Sequence, residues 1–310
     1  MTGGGSPGGD PAKSGAKTIL FGGSGFLGPY ILSQRPEMVS VGRSPPSSAN
    51  PHLPIKALDD LSTLDDVEFD SVIYIVGNTD HHSLDREVVP RCEPTAYDYH
   101  TVPLLRVLEQ LKGRRLRRFV HFSTVLIYDQ NRLRLPVNED APIDPYRSRY
   151  VLSKYLAEEA CRYYARWVPV VNIRMSNLYG PTPLERFDLI HVLCRQLITR
   201  GEGQVWSTAP SRDFIYVEDA ARAVLDLLDT DYCGTLNLGT GVMTRVSEVV
   251  ALLEEVSGLE IGDLGQRVPG PMEFRCDTAT LERLIGWEPR WSVAQGVGET
   301  FRQMREWIEP

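Results

Sequence analysis

Cysteine is scarce in this chain of 310 residues: five thiols, Cys92, Cys161, Cys194, Cys233 and Cys276, odd in number, widely spaced and without a C-x-x-C pair. That spacing argues against a disulfide framework and a zinc site, so reduced, mostly buried thiols and no bound metal are expected. Long apolar runs are lacking as well. No stretch approaches eighteen uninterrupted apolar residues, and the opening MTGGGSPGGDPAKSGAK has no hydrophobic core of a signal peptide. Neither a membrane span nor secretion is expected, and the cytoplasm is the expected compartment. Positive charge is in deficit: 33 Lys and Arg face 41 Asp and Glu, a net charge of -8. A surface of that sign does not suit phosphate backbones, so no nucleic-acid partner is expected. The one basic run, LKGRRLRR at 111–118, reads as a solvated turn between a helix and a strand.

What is present is enough apolar material, 42% of residues, to bury a full core of one large or two joined domains. Residues 1–16 are polar and Gly-rich without periodicity, and read as a disordered tail. Short apolar runs near 18–21, 38–42, 71–76, 118–123 and 169–174 then alternate with helical patterns near 26–33, 97–112 and 147–166. Such alternation predicts βαβ units, that is, an α/β fold with a doubly wound parallel sheet of Rossmann type over 17–174. Runs such as SVIYIV and RFVHFS are almost continuously apolar, as strands covered by helices on both faces require. Beyond 175 the pattern predicts a helix near 187–200, strands at DFIYV and TLNLG, and helices near 246–256, 278–285 and 293–308. This reads as a smaller, interleaved C-terminal substrate-binding lobe, with 212–240 returning to the sheet.

Three constellations carry chemistry. In ILFGGSGFLG at 19–28, Gly22, Gly25 and Gly28 follow a strand and open a helix, with Phe26 and Leu27 between the last two. Glycines there permit a tight turn, close approach of backbone to a pyrophosphate and close packing of helix on strand. At the end of the second strand stand Arg43 and Ser44 and no acid. A guanidinium suits a 2′-phosphate, so NADP(H) is favoured and NAD(H) is the alternative. In SRYVLSKYLAEEA, Tyr150 and Lys154 are four apart on a helical pattern, so they share a face, where an ammonium favours the phenolate. RFVHFS leads into Thr124, which puts a hydroxyl at the carboxyl edge of the sheet, where open α/β folds bind ligands.

In this order the glycine turn, the Ser-Thr strand end followed by VLIY, and Tyr-x-x-x-Lys resemble the extended short-chain dehydrogenase/reductase family, the NAD-dependent epimerase/dehydratase group acting on nucleotide sugars. The resemblance extends through RMSNLYGP, RDFIYVEDAARA, LNLGTG and QRVPGPMEFRCD, covering residues 17–310. It implies that Tyr150 moves a proton at the reacting oxygen, that Thr124 hydrogen-bonds that oxygen, and that Lys154 holds the nicotinamide ribose. It further implies that Asp60, Leu61 and Val76 border the cofactor, and that Asn177, Arg212 and Arg267 meet the substrate diphosphate. Relatives often dimerise through two helices, here carrying VPLLRVLEQL and YVLSKYLAEEACRYYA, so a homodimer is expected.

Departures from the family pattern narrow the chemistry. Val125 and Leu126 stand where dehydratases of the group carry an Asp-Glu pair, His100 where the family usually has Asn, and STAPS where a Gly-Asp-Gly turn is usual. Loss of the carboxylates disfavours 4,6-dehydration. His81 and His82, in GNTDHHSL near the expected substrate mouth, are candidates to assist proton transfer, although plain surface histidines are the simpler reading. The leading expectation is an NADPH-dependent reductase of a nucleotide-activated 4-keto-6-deoxyhexose. The alternative is an NAD-dependent C4 epimerase, and a cofactor-sensing regulator on the same fold ranks third because both Tyr150 and Lys154 are present.

Overall fold

Seven short strands join in one parallel sheet in the computed structural model, which describes residues 17–80, 84–85 and 93–308. The tail read at 1–16, His81, His82 and Cys92 lie outside the described residues. The strands are β1 (Lys17–Phe21), β2 (Val39–Gly42), β3 (His52–Pro54), β4 (Phe69–Tyr74), β5 (Arg118–Thr124), β6 (Val170–Met175) and, late in the chain, β11 (Gly234–Leu238). Their order is β11-β6-β5-β4-β1-β2-β3, so the chain winds outward from β1 in one direction and from β4 in the other. The crevice between those two strands lies where their carboxyl ends diverge.

Alternation along each strand sends side chains to two cores. Leu20, Ile73, Val120 and Ile173 point to one face with Ile31 and Leu32 of α1 (Gly28–Ser33). Ile19, Phe21, Val72, Tyr74 and Phe119 point to the other. A short α2 (Ala96–His100) leads into α3 (Val102–Leu111), which covers that second face together with α4 (Arg149–Tyr164). The predicted helix over 97–112 is thus divided at Thr101, whose hydroxyl donates to the Ser153 carbonyl at 2.9 Å.

The C-terminal part builds small sheets. Parallel β7 (Asn177–Tyr179) pairs with β10 (Phe214–Tyr216), and β8 (Gly203–Val205) with β13 (Ile261–Asp263), while β9 (Ser211–Arg212) and β12 (Thr244–Arg245) run antiparallel. Its helices are α5 (Leu189–Arg200), α6 (Val217–Leu228), α7 (Val246–Ser257), α8 (Ala279–Ile285) and α9 (Val293–Ile308). Of the segment expected to return to the sheet, β11 pairs with β6 and α6 packs into the core of the first face, whereas β9 and β10 pair away from it.

One further reading is corrected. Arg118, expected at the end of a solvated turn, is buried, and its guanidinium donates to the carbonyls of Thr230 and Tyr232. It ties the start of β5 to the turn before β11.

Candidate active site

The glycine turn closes at the head of the crevice. Gly22 has φ +93°, and Gly25 N–H donates to the Gly22 carbonyl at 3.0 Å. A Cβ on Gly28 would lie 2.5 Å from the Gly23 carbonyl oxygen, so the first residue of α1 packs directly on the turn's own backbone. A Cβ on Gly22 would meet Ile75 at 3.1 Å, which sets the turn beside the segment leaving β4. Phe26 and Leu27 are buried beneath it. Val76, half-buried, continues that segment. The helix begins two residues later than expected, because Phe26 and Leu27 are spent in the turn.

At the other wall, α4 presents the proton-transfer pair. Its first turn is capped by Ser148, whose Oγ accepts from Val151 N–H at 3.2 Å, and by Asp85, whose Oδ1 accepts from Tyr150 N–H at 2.9 Å. Tyr150, Lys154 and Thr124 are all buried. Burial pushes the Tyr150 phenol up to about 12, opposed by a hydrogen bond with Thr124 and by the charge of Arg186, while Asp85 raises it further. Arg186 thus supplies a positive charge that the sequence reading sought in Lys154 alone. Burial also brings Lys154 down to about 8, with Glu158 acting the other way. The Lys154 ammonium donates to the Phe122 carbonyl at 3.1 Å. Behind it, Glu158 and Arg174 form a buried two-pronged ion pair at 2.8 and 3.1 Å. Thr124 ends β5, and Val125–Ile127 turn away in a single 3₁₀ turn with Val125 and Ile127 buried. No carboxylate occupies the two positions after Thr124.

On the substrate side, Thr124 is in register with Met175 of β6. Two residues further on, Asn177 donates from Nδ2 to the Asp213 carbonyl at 3.0 Å, which brings it beside Arg212. Arg212 is half-buried, donates to the Ser211 carbonyl at 3.0 Å and has its pKa lowered by burial, and among the described residues it forms no ion pair with a carboxylate. Its neighbour Asp213 carries the opposite duty: fully buried, it accepts from the N–H groups of Thr240, Gly241 and Cys276 and so pins three segments of the lobe together. Arg267 is exposed in the loop that leads to Gly270, where a Cβ would be 3.7 Å from Arg212.

Around the other end of the crevice, Arg43 and Ser44 are exposed just past β2, and among the described residues Arg43 pairs with no acid. Asp60 and Leu61 border an open pocket of ≈ 270 Å³ with Gln110, whose side chain accepts from Leu61 N–H at 2.9 Å. Hydrogen bonds from Ser62 hold the Asp60 carboxyl below its usual range.

Sequence reasoning missed three members of the site. Asp85 sits in a loop without periodicity. Arg186 reaches across from the C-terminal lobe, its guanidinium 4.1 Å from the Phe26 ring centroid and its Nε 2.6 Å from Asp188. Gly77 lies under His100 and Lys154. Their proximity is created by tertiary folding, which no local pattern signals. Among the described residues no group of three metal-binding side chains forms, and no helix is long and apolar enough to cross a membrane.

Residues 18–239 match the NAD dependent epimerase/dehydratase family. The chain is 25% identical over 309 residues to a putative UDP-glucose 4-epimerase of Methanocaldococcus jannaschii, covering 93% of this chain and 98% of that protein. It is 26% identical over 213 residues to an uncharacterised UDP-glucose epimerase of Bacillus subtilis, a match spanning 65% of each protein. A NAD-dependent NDP-hexosamine 5,6-dehydratase of tunicamycin biosynthesis superposes with a TM-score of 0.79 at 25% identity, over 95% of this chain and 98% of that one. RMD of Pseudomonas aeruginosa, solved with NADPH, superposes with a TM-score of 0.78 at 23% identity, over 94% and 99%. Proteins of this fold therefore use either NAD or NADPH.

Proposed function

This chain belongs to the NAD-dependent epimerase/dehydratase family, NAD(P)-dependent enzymes of nucleotide-sugar chemistry, and on that premise we propose that it is a nucleotide-hexose C4 epimerase. The observation that carries the reading is the convergence of Thr124, Tyr150 and Lys154 where the positions after Thr124 are apolar. Such a site manages a proton at a carbinol oxygen and has no carboxylate pair for removing water. The likeness to a putative UDP-glucose 4-epimerase, over 93% of this chain, supports it.

The residues fit a dinucleotide. The glycine turn stands at the crevice with no side chain at Gly22, Gly25 or Gly28, and the Lys154 ammonium, with one carbonyl acceptor, keeps donors for ribose hydroxyls. A bound nicotinamide would supply the hydride acceptor and donor. Tyr150, entering as the phenolate that the Arg186 charge and the positive charge of an oxidised nicotinamide would favour, would take the C4 hydroxyl proton and later return it, with Thr124 orienting the oxygen. Arg212, Arg267 and Asn177 would hold the diphosphate, Arg212 being a half-buried cation with no acid paired to it among the described residues. On this reading residues 17–174 carry the cofactor and 175–310 mainly the substrate, and a homodimer through α3 and α4 would cover Val102, Leu105 and Leu156, each 37% exposed.

A second reading is favoured by one observation. Arg43 and Ser44 at the end of β2, without an acid, suit the 2′-phosphate of NADPH, and NADPH suits net reduction of a nucleotide-linked 4-keto-6-deoxyhexose. Purified protein incubated with UDP-hexoses and with 4-keto sugars, with product analysis by NMR and nicotinamide absorbance followed, separates the two. A C4 epimer formed without net cofactor change supports the epimerase. One-for-one oxidation of NADPH with a 4-keto sugar overturns it in favour of the reductase.

A further inference from the structure

His100 is buried at the end of α2, and the reaction outlined above gives it no task. Both ring nitrogens are engaged. Nδ1 lies 2.8 Å from Ser153 Oγ, and Nε2 lies 2.8 Å from the carbonyl oxygen and 3.2 Å from the amide nitrogen of Asn78. Ser153 immediately precedes Lys154 on α4, and Asn78 follows Gly77 in the segment leaving β4. The ring also meets Tyr150 edge to face, centroids 5.4 Å apart at 85°. Gly77 lies flat against the same ring: a Cβ there would stand 2.9 Å from His100 Cδ2, 3.2 Å from Nε2 and 3.7 Å from Lys154 Nζ. That first separation is one that real Cβ atoms do not show, and a buried ring held at both nitrogens has little freedom to yield.

Burial and the nearby Lys154 charge keep the imidazole neutral, so one nitrogen donates while the other accepts. The Ser153 hydroxyl donates to the Tyr150 carbonyl at 2.7 Å, so with that bond kept Nδ1–H donates to Ser153 Oγ and Asn78 N–H donates to Nε2; in the other tautomer Nε2–H donates to the Asn78 carbonyl and the Ser153 hydroxyl turns from Tyr150 to Nδ1. Both tautomers bridge the same two segments. A shorter asparagine, usual in the family at this position, has an amide that reaches about as far as Nδ1 and not to Nε2.

We propose that Gly77 and His100 are a matched pair that sets the spacing between the segment leaving β4 and the Tyr150–Lys154 face of α4. His100 is then a positioning residue for Lys154, and Gly77 is the residue that leaves it room. The consequence for cofactor binding rests on the reading of Lys154 as the ribose contact; the steric pairing does not.

The test is a double-variant cycle on the full chain, Gly77→Ala, His100→Ala and both together, read by thermal denaturation and by NADH and NADPH fluorescence titration. Gly77→Ala is expected to lower the melting temperature and to weaken cofactor binding by about tenfold, and His100→Ala by several-fold. The double variant is expected to bind no worse than His100→Ala, since removing the ring vacates the space the methyl needs. His100→Gln, which reaches Asn78, is expected to recover more affinity than His100→Asn, which reaches Ser153. Independent, multiplying losses in the cycle, or a Gly77→Ala protein indistinguishable from the parent, would overturn the proposal. If His100→Ala does not fold, His100→Asn serves as the second background with the same expected rescue. Should the parent bind neither cofactor, the ribose reading fails, while the melting-temperature cycle still decides the pairing.

Discussion

Replacing Lys154 by Met removes a cation that the fold holds away from water. Its pKa falls from the ordinary 10.5 to about 8, mainly through burial. At 1.36 kcal/mol per pH unit, that fall opposes folding by roughly 3 kcal/mol at neutral pH. Methionine fills similar space without the charge, but it leaves the Phe122 carbonyl without the bond it accepts from Nζ, a loss of about 1 kcal/mol. The variant is therefore expected to be more stable than the parent by roughly 2 kcal/mol at neutral pH, while binding cofactor poorly. The sign follows from proton counting. Above 10.5 lysine is neutral in the folded and unfolded chain alike and no penalty exists; as pH falls through about 8 the folded chain must take up its proton in apolar surroundings, and the penalty is complete below that. The advantage of Lys154→Met should thus be full at neutral pH, shrink between about 8 and 10.5, and give way to a small deficit above. Urea denaturation of the cofactor-free protein across that window measures it. A variant less stable than the parent at neutral pH, by a margin that does not change with pH, would refute the reasoning.

Tyr150→Phe keeps the buried ring and removes the transferable proton, so turnover should fall by about 10²–10⁴-fold while cofactor affinity holds within a few-fold; near-normal turnover with chemistry rate-limiting would shift the role to another group. Gly28→Ala drives a methyl to 2.5 Å from the Gly23 carbonyl, at a cost of roughly 1–3 kcal/mol, and both the melting temperature and cofactor affinity should drop; an unchanged affinity would show that the turn is not the pyrophosphate cradle. Arg43→Asp should weaken NADP(H) by about 1.5–3 kcal/mol if the guanidinium meets the 2′-phosphate; equal binding of NAD(H) and NADP(H) by the parent, measured by fluorescence titration, removes the basis for the reductase reading.

The parallel sheet was legible because its central strands are buried on both faces, and such strands write themselves as apolar runs: 71–76 and 118–123 fall within two residues of β4 and of β5. β3 was not, since His52–Pro54 is a three-residue edge strand ending in proline, too short to show a period. Tyr150 and Lys154 could be found because one helix fixes their relation, and Thr124 because it ends a recognisable strand. Asp85, Arg186 and Gly77 come from three separate segments that meet only when the sheet, α4 and the C-terminal lobe are assembled, so no local pattern could announce them. Arg118 shows the converse failure. A basic run looks solvated, yet one of its guanidinium groups can be buried when backbone carbonyls of a distant turn, Thr230 and Tyr232, accept from it.

The central claim is that Thr124, Tyr150 and Lys154 serve a reversible oxidation at C4 of a nucleotide-linked hexose. It is tested most directly by incubating the protein with UDP-hexose carrying deuterium at C4 and following both the isotope and the nicotinamide absorbance. The account predicts the C4 epimer with deuterium still on C4, no net change in absorbance, and loss of both epimer and transient reduced nicotinamide in Tyr150→Phe. Deuterium exchanged into solvent, or an epimer formed at the parent rate by Tyr150→Phe, would contradict it.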